Sequence, residues 1–368
     1  HSFPTRRSSD LSFKLLFAAF ICCFVASAAT YDDYYTINKG LRPVDVSPYT
    51  LWYNTPATKS GVSDVWMEYA LPIGNGQIGA TILGGIQTEN IQFNEKTLWE
   101  GNSTNSSNQG YFQNFGSIVV KDLSDTFSKK DDSKPVNNYA RYLDIINGIA
   151  GVRYESADTK FERQFFTSLT DNVLVAHFTA EGKEQLYLNF AFQKDGQINA
   201  SNPVYRDNYG IFSGSLTKIK YNTRFRIFTD GTMKASSSGI RVSDATYVTL
   251  LLAAKTNYDS RSKTIISKDT PATLSQAVDK RITSAQEKGY EALRISHIAA
   301  HCALMNRVDF NVGGTSDKTT DSLIDFYNAS AENKQTKDGL FLEQLYFQYG
   351  RYLTIGANAD QSIHAPSN

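Results

Sequence analysis

The sequence predicts a mainly β protein, a large two-sheet antiparallel β-sandwich followed by a helical extension. Short apolar runs alternate with period two from Leu51 to Tyr258, separated by turn signals such as NG, DN, EG and KDG. About eleven such runs with no intervening helical period are what two packed sheets require. Beyond Arg261 the spacing of apolar residues turns helical. The aromatic content, 21 Tyr and 22 Phe, suits packed β-structure.

Taken from the N-terminus, residues 1–11 (HSFPTRRSSDL) carry no initiator Met and no apolar period, and look like a translated adapter oligonucleotide. Residues 12–28 read as a signal peptide. Lys14 supplies its basic region, Leu15 to Val25 its apolar stretch, and Ala26-Ser27-Ala28 the small-residue cleavage site. That stretch is shorter than the roughly 20 residues a helix needs to span a bilayer. The mature chain is therefore expected to be secreted, with no membrane partner. Residues 29–47 form a polar lead-in, and residues 48–262 the sandwich.

Residues 263–340 read as a helical linker with one short strand. Leu274, Val278 and Ile282 fall at helical spacing, followed by Ala292, Ile295, Ile298 and Ala299. Thr273 and Ser275 offer N-cap hydroxyls, and Gly289 separates two helices. RVDFNVGG, from Arg307, is the expected strand, and Ser316 to Gly339 a loop with one short helix. Residues 341–368 begin a further helical unit. Leu342, Leu345, Tyr346, Tyr349 and Leu353 share a face with no following segment to cover it, which reads as a chain cut at its C-terminus.

Composition removes several function classes. The 37 Lys+Arg against 37 Asp+Glu leave no electrostatic footprint for a nucleic acid. At 41% hydrophobic and 20% charged, the chain is too apolar to be disordered. Two of the 3 cysteines, Cys22 and Cys23, leave with the signal peptide, so a large core must replace disulfides. Four sequons, at Asn102, Asn105, Asn199 and Asn328, are candidates for N-glycosylation.

No motif supplies a catalytic centre. Gly74, Gly76 and Gly79 match GxGxxG, but strand-like residues follow where a phosphate-binding helix should start, so tight turns are expected and no cofactor. His297 and His301 stand four apart, yet Ile298 occupies the place of a zinc protease's Glu, and packing is the expected role. Cys302 reads as a buried inert thiol. No metal ligand set is expected, and no carboxylate pair can be nominated as acid and base.

One resemblance is specific. LWYNTPA (Leu51 to Ala57), the block from Trp66 to Ala80 with its ALPIGNGQIGA, and Gly84 to Gly101 with its IQFNEKTLWEG resemble the opening of glycoside hydrolase family 95, the α-L-fucosidase group. Collinear blocks follow at Tyr139 to Ile145, Val152 to Ala180, Ala245 to Tyr258, His297 to Gly313 and Phe347 to Ile355, ending in APSN (Ala365 to Asn368). Tyr69, Gln164 and the pair Ala300-His301 depart from the family pattern.

The resemblance implies an N-terminal β-sandwich, a helical linker and the first helix of a truncated (α/α) barrel. It also implies an inverting exo-hydrolase acting on terminal α-L-fucosyl groups, possessing room for a water between its catalytic groups. The general-acid Glu and the water-positioning Asn and Asp would lie beyond Asn368, so no catalytic residue carries over and the chain alone is expected to be inactive. Asn75, Asn94, Glu95 and Trp99, in the two glycine-bearing loops, are the candidates for barrel-interface or substrate-proximal positions. The partner implied is a fucosylated oligosaccharide. The alternative is a non-catalytic β-sandwich that binds carbohydrate or a protein partner.

Overall fold

The computed structural model describes residues 37–57, 65–100, 111–128, 135–194, 198 and 200–359. The readings for residues 1–28, the sequons at Asn102, Asn105 and Asn199, and the APSN segment lie outside the described residues.

Strands come first in chain order. They are β1 (Ile37–Lys39), β2 (Thr50–Tyr53), β3 (Leu71–Gly74), β4 (Ile78–Ile82), β5 (Thr88–Glu95), β6 (Trp99–Glu100) and β7 (Tyr111–Phe112). Then follow β8 (Gly116–Asp122), β9 (Val136–Asp144), β10 (Ile149–Ser156), β11 (Thr159–Thr167), β12 (Leu174–Gly182) and β13 (Leu186–Lys194). The last six are β14 (Val204–Arg206), β15 (Tyr209–Ser215), β16 (Lys220–Thr229), β17 (Thr232–Ser236), β18 (Gly239–Ala245) and β19 (Tyr247–Thr256). Two short helices, α1 (Val65–Tyr69) and α2 (Asp125–Ser128), interrupt them. Four more helices close the described chain: α3 (Pro271–Lys288), α4 (Tyr290–Met305), α5 (Thr320–Ala329) and α6 (Lys337–Asn358).

Two sheets face each other. One has ten strands in the order β1-β9-β10-β11-β12-β19-β16-β15-β14, with β2 also on β9. The other has seven, β17-β18-β13-β8-β5-β4-β3, and β6 pairs with β7 as a separate ribbon. Within the two large sheets the described pairings are antiparallel, except that β1, inside the expected lead-in, runs parallel to β9.

The period-two pattern explains which residues meet between the sheets. β5 and β13 alternate buried and half-buried positions along their length. β19 is different, because YVTLLLAAKT is apolar on both faces. Val248, Leu250, Leu252 and Ala254 enter the core between the sheets, whereas Leu251 and Ala253 join a second cluster outside it. That cluster includes Val175, Phe166 and the inner face of α3, Val278, Ile282 and Ala285. A strand buried on both sides needs an external cover, and α3 provides it.

Several local details differ from the sequence reading. The N-cap of α3 is Thr270, and Thr273 is its reciprocal partner in a capping box, with Pro271 at the first helical position. On α4 the buried residues are Leu293, His297, His301 and Met305, so of the expected face Ala292, Ile295 and Ala299 are turned outward and only Ile298 still packs, half-buried, against the second cluster. Ile295 is 62% exposed. The helix turns its two imidazoles inward because backbone carbonyls wait for them there.

The expected strand at Arg307 to Gly314 does not form, and side chains take its backbone groups instead. Gln344 Oε1 accepts from the amides of Val312 (3.0 Å) and Gly314 (2.7 Å).

The largest correction concerns α6. Its apolar face is covered: Phe341, Leu342, Leu345, Tyr349 and Tyr352 belong to the same core cluster as the sandwich. Tyr346 is instead exposed. The sandwich itself is the partner that the sequence reading lacked. Among the described residues, no helix is long and apolar enough to cross a membrane.

The burial pattern of α3 and α4 predicts contrasting substitutions. Ile282→Ala removes a fully buried side chain and should cost about 2–4 kcal/mol in urea unfolding. Ile295→Ala should stay within about 0.5 kcal/mol of wild type, the reverse of what the apolar spacing alone implies.

Candidate functional site at the sandwich and helix junction

The glycine-bearing loop from Pro72 to Gln77 is the turn of the β3–β4 hairpin, in which Gly74 pairs with Gly79. Strand follows it, not a helix, so no dinucleotide fingerprint is present. Asn75 builds the turn. Its Oδ1 accepts from the amides of Gln77 (3.0 Å) and Ile78 (2.7 Å), as an Asx side chain does when it replaces a backbone acceptor. Gly76 then takes a φ of 83°, where a Cβ would be strained.

The other end of the Asn75 side chain crosses to the opposite sheet. Nδ2 donates to the Ser168 carbonyl (2.9 Å) and to Asn172 Oδ1 (3.1 Å), both in the β11–β12 turn. Asn75 is 4% exposed, and its amide is fully engaged.

The second loop, from Asn94, lies directly alongside, because Ile78 pairs with Glu95. Glu95 is 1% exposed and holds the two turns together. Oε1 accepts from Gln77 Nε2 (3.1 Å), and Oε2 accepts from the Thr97 amide (2.9 Å) and hydroxyl (2.6 Å). The Thr97 hydroxyl also touches that of Thr256 on β19. Burial pushes the Glu95 carboxyl above its ordinary range. With both oxygens engaged and no exposed face, it is a staple and not an available base.

Asn94 sits on the other face of β5, half-buried, and its Oδ1 accepts from the Glu95 amide (2.9 Å). Trp99, half-buried on β6 opposite Phe112, has no hydrogen-bond partner for its indole N–H among the described residues. The structure thus unites Asn75 and Glu95 through Gln77, and leaves Asn94 and Trp99 on the flank.

What this platform supports is α6. Gly76 donates its amide to the Gly356 carbonyl at 2.7 Å, and Tyr352 donates its hydroxyl to the Pro72 carbonyl at 2.8 Å. Gly356 carries one of the last four carbonyls of the helix, which have no intrahelical donor of their own. The backbones approach so closely that a Cβ on Gly74 would lie 2.8 Å from the Gly356 oxygen.

The other end of α6 is tied as well. Gln344 Nε2 donates to Tyr49 Oη (3.3 Å), which itself donates to the Phe310 carbonyl (3.1 Å). Nearer the C-terminal end, beside Tyr352, Arg351 donates to the carbonyls of Leu304, Met305 and Val308. Sequence reading missed Tyr49, Ser168, Asn172, Gln344 and Arg351. Gln344 and Gln348, polar residues on a buried helical face, were the one available signal.

His297 and His301 fasten α4 to the β9–β10 turn. His297 Nε2 donates to the Gly148 carbonyl (3.0 Å), and His301 Nδ1 donates to the Ile146 carbonyl (2.9 Å). Carbonyls only accept, so these nitrogens carry the protons, and the opposite ring nitrogens are bare and buried. Burial pushes His297 down to about 4 and lowers His301. Cys302, half-buried beside them, points at the Ile146 carbonyl, and burial raises its thiol. Among the described residues no group of three or more His, Cys, Asp or Glu side chains is arranged to hold a metal.

Gln164, one of the departures noted above, accepts from Tyr290 Oη (2.7 Å) and Arg294 Nε (3.1 Å). Asn328 is exposed on the last turn of α5. The junction can position elements, but among the described residues it presents no exposed acid–base pair.

Comparison with known proteins places this architecture. A model of the glycosyl hydrolase family 65 N-terminal domain matches residues 51–111 and 102–261. A model of the glycosyl hydrolase family 95 catalytic domain matches residues 289–368. The chain is 27% identical over 360 residues to alpha-L-fucosidase 2 of Arabidopsis thaliana, covering 82% of this chain and 42% of that protein. It is 24% identical over 364 residues to a probable alpha-fucosidase A of Aspergillus niger, covering 85% of this chain and 44% of that protein. The chain thus spans less than half the length of these curated relatives. A solved structure described as a kojibiose phosphorylase from human microbiome shares the fold, with a TM-score of 0.50 at 11% identity over 73% of this chain and 39% of that one.

Two predictions follow from the geometry. Gly74→Ala pushes a methyl into the Gly356 carbonyl and should cost about 1–3 kcal/mol in thermal or urea unfolding. The second concerns pH. A histidine whose folded value lies below 6.5 makes the unfolded chain the stronger proton binder between about 4 and 6.5, so its contribution to stability is lost as pH falls through that window. Glu89 acts oppositely, because burial raises it to about 7 and its contribution is lost as pH rises from 4.5. Comparing His297→Gln with wild type cancels the Glu89 part. The variant should lose less stability than wild type between pH 6.5 and 4, by on the order of 2–3 kcal/mol in urea titrations.

Proposed function

We propose that this chain, which carries an N-terminal domain of the glycosyl hydrolase family 65 kind joined to the start of a family 95 catalytic domain, is part of an exo-acting α-L-fucosidase of glycoside hydrolase family 95. The observation that carries the reading is the order of matched segments. One relative named as an alpha-L-fucosidase aligns with 82% of this chain.

The proposed substrate is a terminal α-L-fucosyl group, α-1,2-linked, on an oligosaccharide or glycan, with L-galactose as the close analogue to compare. The proposed chemistry is inverting hydrolysis: one carboxylic acid protonates the leaving oxygen while water attacks the opposite face. The residues for these steps are assigned by resemblance to the region after Asn368. Within the described residues, the carboxylate at the junction, Glu95, is buried and fully hydrogen-bonded, which fits a supporting role for the sandwich. Export is part of the proposal, supported by the basic, apolar and small-residue order of residues 12–28. The exposed Asn328 side chain is the described candidate for a glycan.

The test is to express the gene product with its whole catalytic domain and supply an α-1,2-fucosylated oligosaccharide. Proton NMR during turnover should show β-L-fucose first, with mutarotation following, and residues 1–368 alone should release none. Turnover by residues 1–368 alone, or first release of the α-anomer, would overturn the assignment. Binding of the glycan without turnover by the whole protein would favour the non-catalytic carbohydrate-binding reading.

A further inference from the structure

A continuous chain of polar contacts runs from the α3–α4 hairpin to the last turn of α6. Lys288 Nζ donates to both Asp171 oxygens (3.1 and 2.8 Å) and to Ser296 Oγ (2.7 Å). Asp171 Oδ2 accepts from Ser168 Oγ at 2.8 Å. The Ser168 carbonyl then accepts from the Asn172 amide (3.1 Å) and from Asn75 Nδ2 (2.9 Å). Asn75 Oδ1 shapes the turn that aims the Gly76 amide at Gly356. From Ser168 onward each participant is backbone or the side chain of a buried residue, so the line has little rotational freedom.

We propose that Asn75 is a positioning residue for the hydrolytic reaction, setting where the end of α6 stands relative to the α3–α4 hairpin. The inference rests on the hydrolase reading above, because α4 and α6 both fall in the segment matched by the catalytic-domain model. The catalytic groups assigned by that reading follow α6 in the chain, so an error in its placement is passed on to them. A displacement of about 1 Å in a supporting element is enough to cost roughly 100-fold in rate.

The two ends of the Asn75 amide make the idea separable. Asn75→Asp keeps an oxygen acceptor for the amides of Gln77 and Ile78, and so keeps the turn. It faces the Ser168 carbonyl and Asn172 Oδ1 with an oxygen where a donor was, and so breaks the bridge. Asn172→Gly is the gentler partner. It deletes one acceptor and tolerates the φ of 55° at that position.

The experiment compares both variants with wild type in the protein carrying its whole catalytic domain. For Asn75→Asp, kcat should fall about 10- to 100-fold with KM changed less than about two-fold, and for Asn172→Gly about three- to ten-fold. In both, amide hydrogen exchange across residues 352–358 should be faster than in wild type, with the melting temperature of Asn172→Gly unchanged. Unchanged kcat and unchanged exchange in Asn172→Gly, or in folded Asn75→Asp, would overturn the inference. If wild type releases no fucose, the hydrolase reading fails, and the exchange comparison still decides whether Asn75 positions α6.

Discussion

The structure depends on a backbone contact between two glycines. Gly74 and Gly356 approach until a Cβ on Gly74 would collide with the Gly356 oxygen, and Gly76 gives that oxygen its amide proton. A helix end and a hairpin turn both carry backbone groups without local partners, and here each supplies what the other lacks. The contact sits where the sandwich meets the helices, so the register of α6 is fixed by main chain, the least adjustable part of either element. Tyr352 on Pro72 repeats the arrangement one turn earlier.

The polar residues around this contact act as fasteners for turns. Asn75, Gln77, Glu95 and Thr97 each complete the hydrogen bonds of a neighbouring backbone or side chain, and Thr97 reaches the opposite sheet at Thr256. The same economy appears elsewhere in the sandwich. Arg141, 1% exposed, donates to the carbonyls of Thr55 (2.9 Å) and Tyr69 (2.6 Å) with its guanidinium 4.0 Å from the Tyr53 ring centroid. Arg163 donates to Ile86 and Tyr154, with Glu89 nearby. Buried charge survives in these places because carbonyls and hydroxyls accept from the guanidinium N–H groups.

The histidine pair shows how spacing and chemistry part company. Two imidazoles four residues apart on a helix look like ligands, yet each spends its one proton on a carbonyl of the β9–β10 turn. Phe166 stacks on His297 at 4.8 Å between ring centroids, and Tyr352 lies 5.5 Å from His301. An aromatic, desolvated setting keeps both rings neutral, which suits packing and hinders any role in proton transfer near neutral pH.

The sequence by itself determined the sandwich, the α3–α4 break at Gly289 and the family resemblance. Those signals are local: period-two runs, turn residues and ordered motifs need only neighbouring positions. It also marked Asn75 and Glu95 as belonging to meaningful loops. Only the tertiary structure decided what they do. Whether Ile295 or His297 faces inward depends on the carbonyls across from the helix, and whether Arg307 to Gly314 becomes a strand depends on which groups take its backbone amides, here the Gln344 side chain. The cover over α6 was already in the chain, but the Gly74–Gly356 approach joins residues far apart in sequence, and glycine leaves no apolar pattern by which such a contact could be read in advance.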